Sequence, residues 1–133
     1  MIKGLAHICF HVRDLSAAEE FYRGKLGFRH AFEYFNEKGR QIGVALYISG
    51  RNILELFRGE PTPPAPGQSF RHFCLEVDDI DGTVRDLRAK GIEVTDPRPG
   101  TDGSIQAWMK DPDGNQIELH CYTPRSKQNA WVK

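Results

Sequence analysis

LAHICFHVRDL (residues 5–15) lies over FRHFCLEVDDI (residues 70–80) at an offset of 65 positions. The match pairs His7 with His72, Cys9 with Cys74, Val12 with Val77 and Asp14 with Asp79. A helical pattern follows each copy. In the first, Leu15, Ala18, Phe21 and Tyr22 recur at helical spacing after a Ser16-x-x-Glu19 capping box, and Gly27 is the stop signal. In the second, Ile80, Val84 and Leu87 recur at i, i+4 and i+7, and Gly91 ends the run. Farther along, GRNILEL (50–56) lies over DGNQIEL (113–119) at an offset of 63, aligning Asn52 with Asn115 and Glu55 with Glu118. The change of offset requires only a short insertion or deletion in the loops between.

Each half therefore reads as strand, helix and then about three strands, a βαβββ unit present twice. Strands are expected near 4–12, 28–36, 42–49 and 52–58, and again near 69–77, 92–96, 104–110 and 115–122. The stretch GEPTPPAPGQS (59–69) holds four prolines in eleven residues and is expected to be an extended linker, because proline has no N–H to give a ladder. A unit of about 55 residues with one helix buries little surface, so the two must pack together or against another chain. The expected organisation is one α+β domain over 1–133, made of a module 1–58, a linker 59–69 and a module 70–123.

A chain of 133 residues that is 39% hydrophobic, with eight Phe and two Trp, has enough apolar material for a real core. Eighteen basic residues balance eighteen acidic ones, which removes the electrostatic footprint of a nucleic-acid or anionic-membrane binder. The expected partners are a small molecule and a second copy of the chain. The opening MIKGLAHICFHVRD meets charged residues too soon for a signal peptide, and no apolar run is long enough to span a membrane, so a cytoplasmic protein is expected. Cys9, Cys74 and Cys121 lack CxxC spacing and are read as reduced thiols borne on strands.

Alternation along strands places His7, Cys9 and His11 on one face, as it does Ile53, Glu55 and Phe57, His72, Cys74 and Glu76, and Glu118, His120 and Tyr122. If both units are built alike, His7 and His72 hold equivalent places on first strands, and Glu55 and Glu118 on last strands. A pseudo-twofold axis would then gather two imidazoles and two carboxylates. Carboxylates inside the apolar runs ILEL and QIEL are costly to bury without a cation or proton partner. On spacing alone, a metal site and a set of hydrogen-bonded core and surface residues account for the pattern equally well. His11 and His120 are open in the same way, each either packed against a neighbour or in contact with a substrate. Trp108, Met109 and Lys110 either line a pocket mouth or belong to the core. DPDG (111–114) reads as a turn, and the tail PRSKQNAWVK (124–133) as a disordered end or one anchored on a neighbour by Trp131.

HICFHVRDLSAAEEFYRGKLGF (7–28) and MKDPDGNQIEL (109–119) resemble the opening and closing signatures of the vicinal-oxygen-chelate, or glyoxalase, bleomycin-resistance and extradiol-dioxygenase, superfamily. The resemblance covers nearly the whole chain. It implies paired βαβββ modules forming a cupped mixed sheet around one divalent metal. Matched residue by residue, the ligand pattern is closest to that of lactoylglutathione lyase, glyoxalase I, and implies His7, Glu55, His72 and Glu118 as metal ligands. The cation is then one Ni, Co, Zn, Mn or Fe ion per chain, since nitrogen and oxygen donors do not choose among these. The implied chemistry is that of a lyase or isomerase acting on a substrate with vicinal oxygens through a metal-bound enediolate, with Glu118 as base and Glu55 as its symmetry mate. His11, Phe57, Trp108 and His120 are the expected substrate contacts. Homodimers are common among such paired-module proteins, and a homodimer is expected, with His7 and Glu55 from one chain and His72 and Glu118 from the other; a site within one chain is the alternative. Competing readings are a metal-dependent thiol transferase resembling the fosfomycin-resistance proteins, an extradiol dioxygenase, and a non-catalytic drug-binding module. One departure stands out. Glyoxalase I of the bacterial type usually carries an arginine four residues after its first ligand and an asparagine near the end of the strand bearing its second, where this chain has His11 and Gly59.

Overall fold

The computed structural model describes Met1, residues 5–61 and residues 70–131. Most of the expected linker and the outermost residues of the first and fifth strands as read above lie outside the described residues. The chain divides into two compact units, Met1–Gln68 and Ser69–Lys133. In the first, β1 (His7–Val12), β2 (Arg29–Phe35), β3 (Gln41–Ser49) and β4 (Asn52–Arg58) form a sheet of order β1-β4-β3-β2. In the second, β5 (Phe73–Glu76), β6 (Arg98–Pro99), β7 (Ile105–Lys110) and β8 (Gln116–Cys121) form a sheet of order β5-β8-β7-β6. Each first strand runs parallel to its last strand and the other pairs are antiparallel. The α+β class and the repeated βαβββ topology are thus both present.

One helix follows each first strand. The helix α1 (Leu15–Glu19) continues as a π-helical stretch over Glu20–Lys25, and α2 spans Ile80–Ala89. The expected capping box at Ser16 is not what starts α1. Asp14 caps it instead, with extended backbone (φ −120°, ψ 106°) and its carboxylate accepting from the Ala17 N–H at 3.1 Å. Ser16 sits one residue inside the helix, past the position at which a side chain reaches back to the free N–H groups. Asp79 does the same for α2, accepting from the Gly82 N–H at 2.9 Å. The matched pair Asp14 and Asp79 was therefore the stronger signal. Asp79→Ala is expected to lower unfolding free energy by about 0.5–2 kcal/mol, measured by urea denaturation with an unchanged m-value. Both helices stop at a glycine with positive φ, Gly27 at 79° and Gly91 at 81°.

Helix and sheet bury one face of each unit. In the first, Leu15, Ala18, Phe21 and Tyr22 are buried together with Phe10, Val12, Val44, Leu46, Leu54 and Leu56, the alternate residues of β1, β3 and β4. In the second, Ile80, Val84 and Leu87 are buried with Phe73, Ala107, Met109, Ile117 and Leu119. Strand alternation then sends the candidate residues to the other face.

The strand expected at 92–96 is replaced by an irregular segment, and the paired strand β6 shrinks to Arg98–Pro99. The alternation that suggested a strand is still visible in buried Ile92 and Val94. Thr95 meets β7 through its N–H to the Trp108 carbonyl and its hydroxyl from the Trp108 N–H, each at 2.9 Å. Pro97 and Pro99 then remove the donors that a longer ladder needs. The tail also differs from a disordered end. A 3₁₀ turn over Lys127–Ala130 is held by the Ser104–Ser126 hydroxyl pair at 2.7 Å and by the Lys127 N–H on the Asp102 carbonyl at 2.9 Å. Trp131 is 87% exposed, so the contacts that hold this turn within the chain come from Asp102, Ser104 and Ser126. Among the described residues, no helix is long and apolar enough to cross a membrane.

Candidate functional site

The parallel pairing of first and last strands positions the candidate ligands in the same way twice. Cys9 lies opposite Glu55 and Cys74 opposite Glu118, and the histidine two residues before each cysteine approaches the glutamate diagonally. In the first unit His7 Nε2 lies 3.6 Å from Glu55 Oε2. In the second, His72 Nε2 lies 3.1 Å from Glu118 Oε2. Each unit thus brings its own imidazole and carboxylate together. Glu118 is buried at 6% exposure, an environment that demands a partner for its charge.

What surrounds each carboxylate breaks the repeat. At Ala45 and Gly43 on β3, the positions facing Glu55 and Phe57, the second unit carries Trp108 and Gln106, facing Glu118 and His120. A Cβ on Gly43 would lie 2.7 Å from both the Phe57 ring and the Leu56 carbonyl oxygen, so the ring occupies the space that a side chain would fill. Phe57 packs there on Tyr34, ring centroids 4.7 Å apart, and Tyr34 on Phe32 at 5.1 Å. The Tyr34 hydroxyl donates to Glu55 Oε1 at 2.6 Å. That bond, with burial and the nearby charge adding to it, pushes the phenol up to about 12.

In the second unit His120 stands where Phe57 stands in the first. Its Nδ1 lies 3.0 Å from Glu118 Oε1, within hydrogen-bonding distance. Its Nε2 is buried without a hydrogen-bond partner among the described residues and lies 3.7 Å from Asp102 Oδ2. Asp102 in turn accepts from Gln128 at 2.5 Å and from the Ser104 N–H at 3.0 Å, and these bonds hold its carboxyl below the usual range. Trp108 meets His72 edge to face at 4.8 Å. His11 shares the face of His7 and packs on the Gly59 backbone, where an added Cβ would lie 3.0 Å from the imidazole.

Cys74, Glu118 and His120 present ligand atoms within 4.8 Å of one another, so the structure adds Cys74 to the group that sequence reading assembled. Burial, then the charges of Glu118, Asp102 and Glu76, push its thiol up to about 12; burial and Glu55 raise Cys9 likewise. Both thiols hold their protons at neutral pH, and a bound cation would reverse that preference. All three cysteines are free and lie on strands, as expected. A surface groove of about 770 Å³ lies elsewhere in the first unit, lined by α1, its π-helical continuation and the start of β2, with Arg23, Phe28 and His30 among its residues; none of the candidate ligands borders it.

Sequence reasoning missed Tyr34, Asp102 and Gln128. Repeat matching finds only residues with a like mate. Opposite Gln106, the counterpart of Gly43, the second unit has Arg98, while Tyr34 lies opposite Gly43 itself. Asp102 reads as part of a turn and Gln128 as part of a tail.

Two βαβββ modules, each with a His–Glu pair on the sheet face away from its helix, define a tandem-module α+β protein. Residues 4–119 match the family model of the Glyoxalase/Bleomycin resistance protein/Dioxygenase superfamily, and the chain belongs to that superfamily. It is 30% identical over 121 residues to a lactoylglutathione lyase of Haemophilus influenzae, covering 86% of this chain and 90% of the relative. It is 25% identical over 126 residues to the fosfomycin resistance protein FosX of Mesorhizobium japonicum, covering 92% and 88%. Among solved structures, TnmS3, an antibiotic binding protein from Streptomyces sp. CB03234, is 28% identical with a TM-score of 0.75, covering 92% and 98%.

Proposed function

We propose that this chain is a divalent-metal-dependent enzyme of lyase or isomerase type, acting on a small substrate with two adjacent oxygens. The observation that carries the reading is the pair of His–Glu contacts at matched repeat positions, 3.6 Å for His7–Glu55 and 3.1 Å for His72–Glu118. The donors fit a divalent cation: imidazole nitrogens and carboxylate oxygens, one carboxylate buried, suit Ni, Co, Zn, Mn or Fe. A catalytic site typically uses three protein ligands, and the His–Glu pair of one unit supplies two of them. Their matched repeat positions and the resemblance to metal-dependent glyoxalase I assign His7, Glu55, His72 and Glu118 together to one cation per chain. Superfamily members usually bind a metal and often form dimers, and a homodimer belongs to this reading.

When bound, the cation supplies Lewis-acid charge to adjacent substrate oxygens. Glu118 accepts the proton from the carbon beside the carbonyl, and the electron pair left behind spreads toward the carbonyl oxygen. Returning that proton to the neighbouring carbon completes an isomerisation without external oxidant or reductant. His120 orients Glu118 through the bond at 3.0 Å, and His11, Phe57 and Trp108 contact the rest of the substrate. Metal analysis of anaerobically purified protein tests the reading: one divalent ion per chain is expected, and His72→Ala is expected to lose stoichiometric binding. Tight binding retained in both His72→Ala and Glu118→Ala would remove the assigned site.

The likeness to an antibiotic binding protein, together with Phe32 at 50% exposure beside Tyr34, supports a second reading, sequestration of a planar apolar compound without turnover. Metal-free protein that binds such compounds and turns over none would favour it.

A further inference from the structure

We infer that Tyr34 is a positioning residue that holds Glu55 in its metal-binding orientation, an inference resting on the function proposed above. The two modules face one physical problem, a glutamate on a strand face that must stay ionised and correctly turned, and they solve it differently. In the second unit the partner comes from the same strand, His120 two residues after Glu118 at 3.0 Å. In the first unit that place is taken by Phe57, which has no donor, and the donor arrives from β2 instead.

Three features make this arrangement specific. Tyr34 lies opposite Gly43, and Gly43 opposite Phe57, so the three share one row across the sheet. Gly43 has no side chain, and the Phe57 ring fills that space and packs against the Tyr34 ring at 4.7 Å. The phenol then reaches one row along to Glu55 Oε1 at 2.6 Å, leaving Oε2 on the side of His7 at 3.6 Å. One carboxylate oxygen is thus committed to Tyr34 and the other left for a cation beside His7. A ligand carboxylate with such an outer hydrogen bond loses freedom to rotate, and removal of partners of this kind typically costs about 10–100-fold in metal affinity.

The test uses full-length protein stripped of metal and titrated with Co(II) against a chromophoric chelator, comparing wild type with Tyr34→Phe, which keeps the ring packing and removes only the hydroxyl. Circular dichroism and urea midpoints establish that the variant is folded. Co(II) binding is expected to weaken about 10–100-fold, with a shift in the visible Co(II) bands, because the coordination geometry at Glu55 relaxes. A stability loss with affinity within twofold of wild type and unchanged bands would show Tyr34 to be merely structural and overturn the inference, leaving the proposed function intact. Failure of wild-type protein itself to bind Co(II) stoichiometrically would overturn both.

Discussion

Glu118→Gln is expected to reduce kcat on the native substrate by about 10²–10⁴-fold, the contribution of a positioned general base, while leaving the fold intact. The substitution is nearly isosteric. Glu118 is 6% exposed, so exchange of its carboxylate for an amide removes a charge that is expensive to bury, and the metal-free variant is expected to be at least as stable as wild type. The two losses separate in measurement. Weaker metal binding is overcome by saturating with the cation, whereas loss of the base persists at saturation. The substrate is to be found first, by screening α-oxygenated carbonyl compounds, epoxides and catechols with each reconstituted metal. Full turnover by metal-saturated Glu118→Gln would move the base role to Glu55, its mate in the repeat.

The parts of the molecule legible in the sequence are those written twice. The offset of 65 across His7–Asp14 and 63 across Glu55 marked two like βαβββ units, and the structure gives both the same strand order, with Cys9–Glu55 and Cys74–Glu118 as matched parallel pairs. Symmetry also picked out the His–Glu pairs, because a residue type kept at both copies of a module is easy to see in a single chain. What stayed hidden is what differs between copies. Tyr34 and His120 serve equivalent carboxylates from different strands, so no offset aligns them. Asp102 and Gln128 act through long-range bonds spanning 26 residues, which no local pattern encodes. The strand read at 92–96 failed for a different reason: alternating burial of Ile92 and Val94 mimics a strand, while Pro97 and Pro99 deny it a ladder.

The hemithioacetal of methylglyoxal and glutathione is expected to be a poor substrate, although the ligand set resembles that of glyoxalase I. In the bacterial type of that enzyme an arginine usually stands four residues after the first ligand, the place of His11. A guanidinium there gives a charge-assisted, bidentate grip on a carboxylate, worth about 1.5–3 kcal/mol, or roughly tenfold to a hundredfold in affinity. Imidazole lacks the planar fork of donors that makes such a grip. Nor do the neighbouring arginines replace it readily. Arg13 is paired with Glu60 at 3.0 Å, and Arg58 follows Phe57 on β4 and so points to the opposite sheet face, where it donates to the Gln41 carbonyl at 3.1 Å. Gly59, where the bacterial enzymes usually have asparagine, offers no side-chain donor, and its backbone is covered by the His11 ring. Steady-state kinetics on the hemithioacetal with Ni-, Co- and Zn-loaded protein decide the matter. A kcat/KM well below about 10⁵ M⁻¹s⁻¹ is expected with every metal, and His11→Arg is expected to raise it by lowering KM rather than by raising kcat, since the contact binds a remote carboxylate equally in ground and transition states. Efficiency at or above that level in the wild-type protein would mean that another cation, such as Arg71, grips the glutathione carboxylate instead.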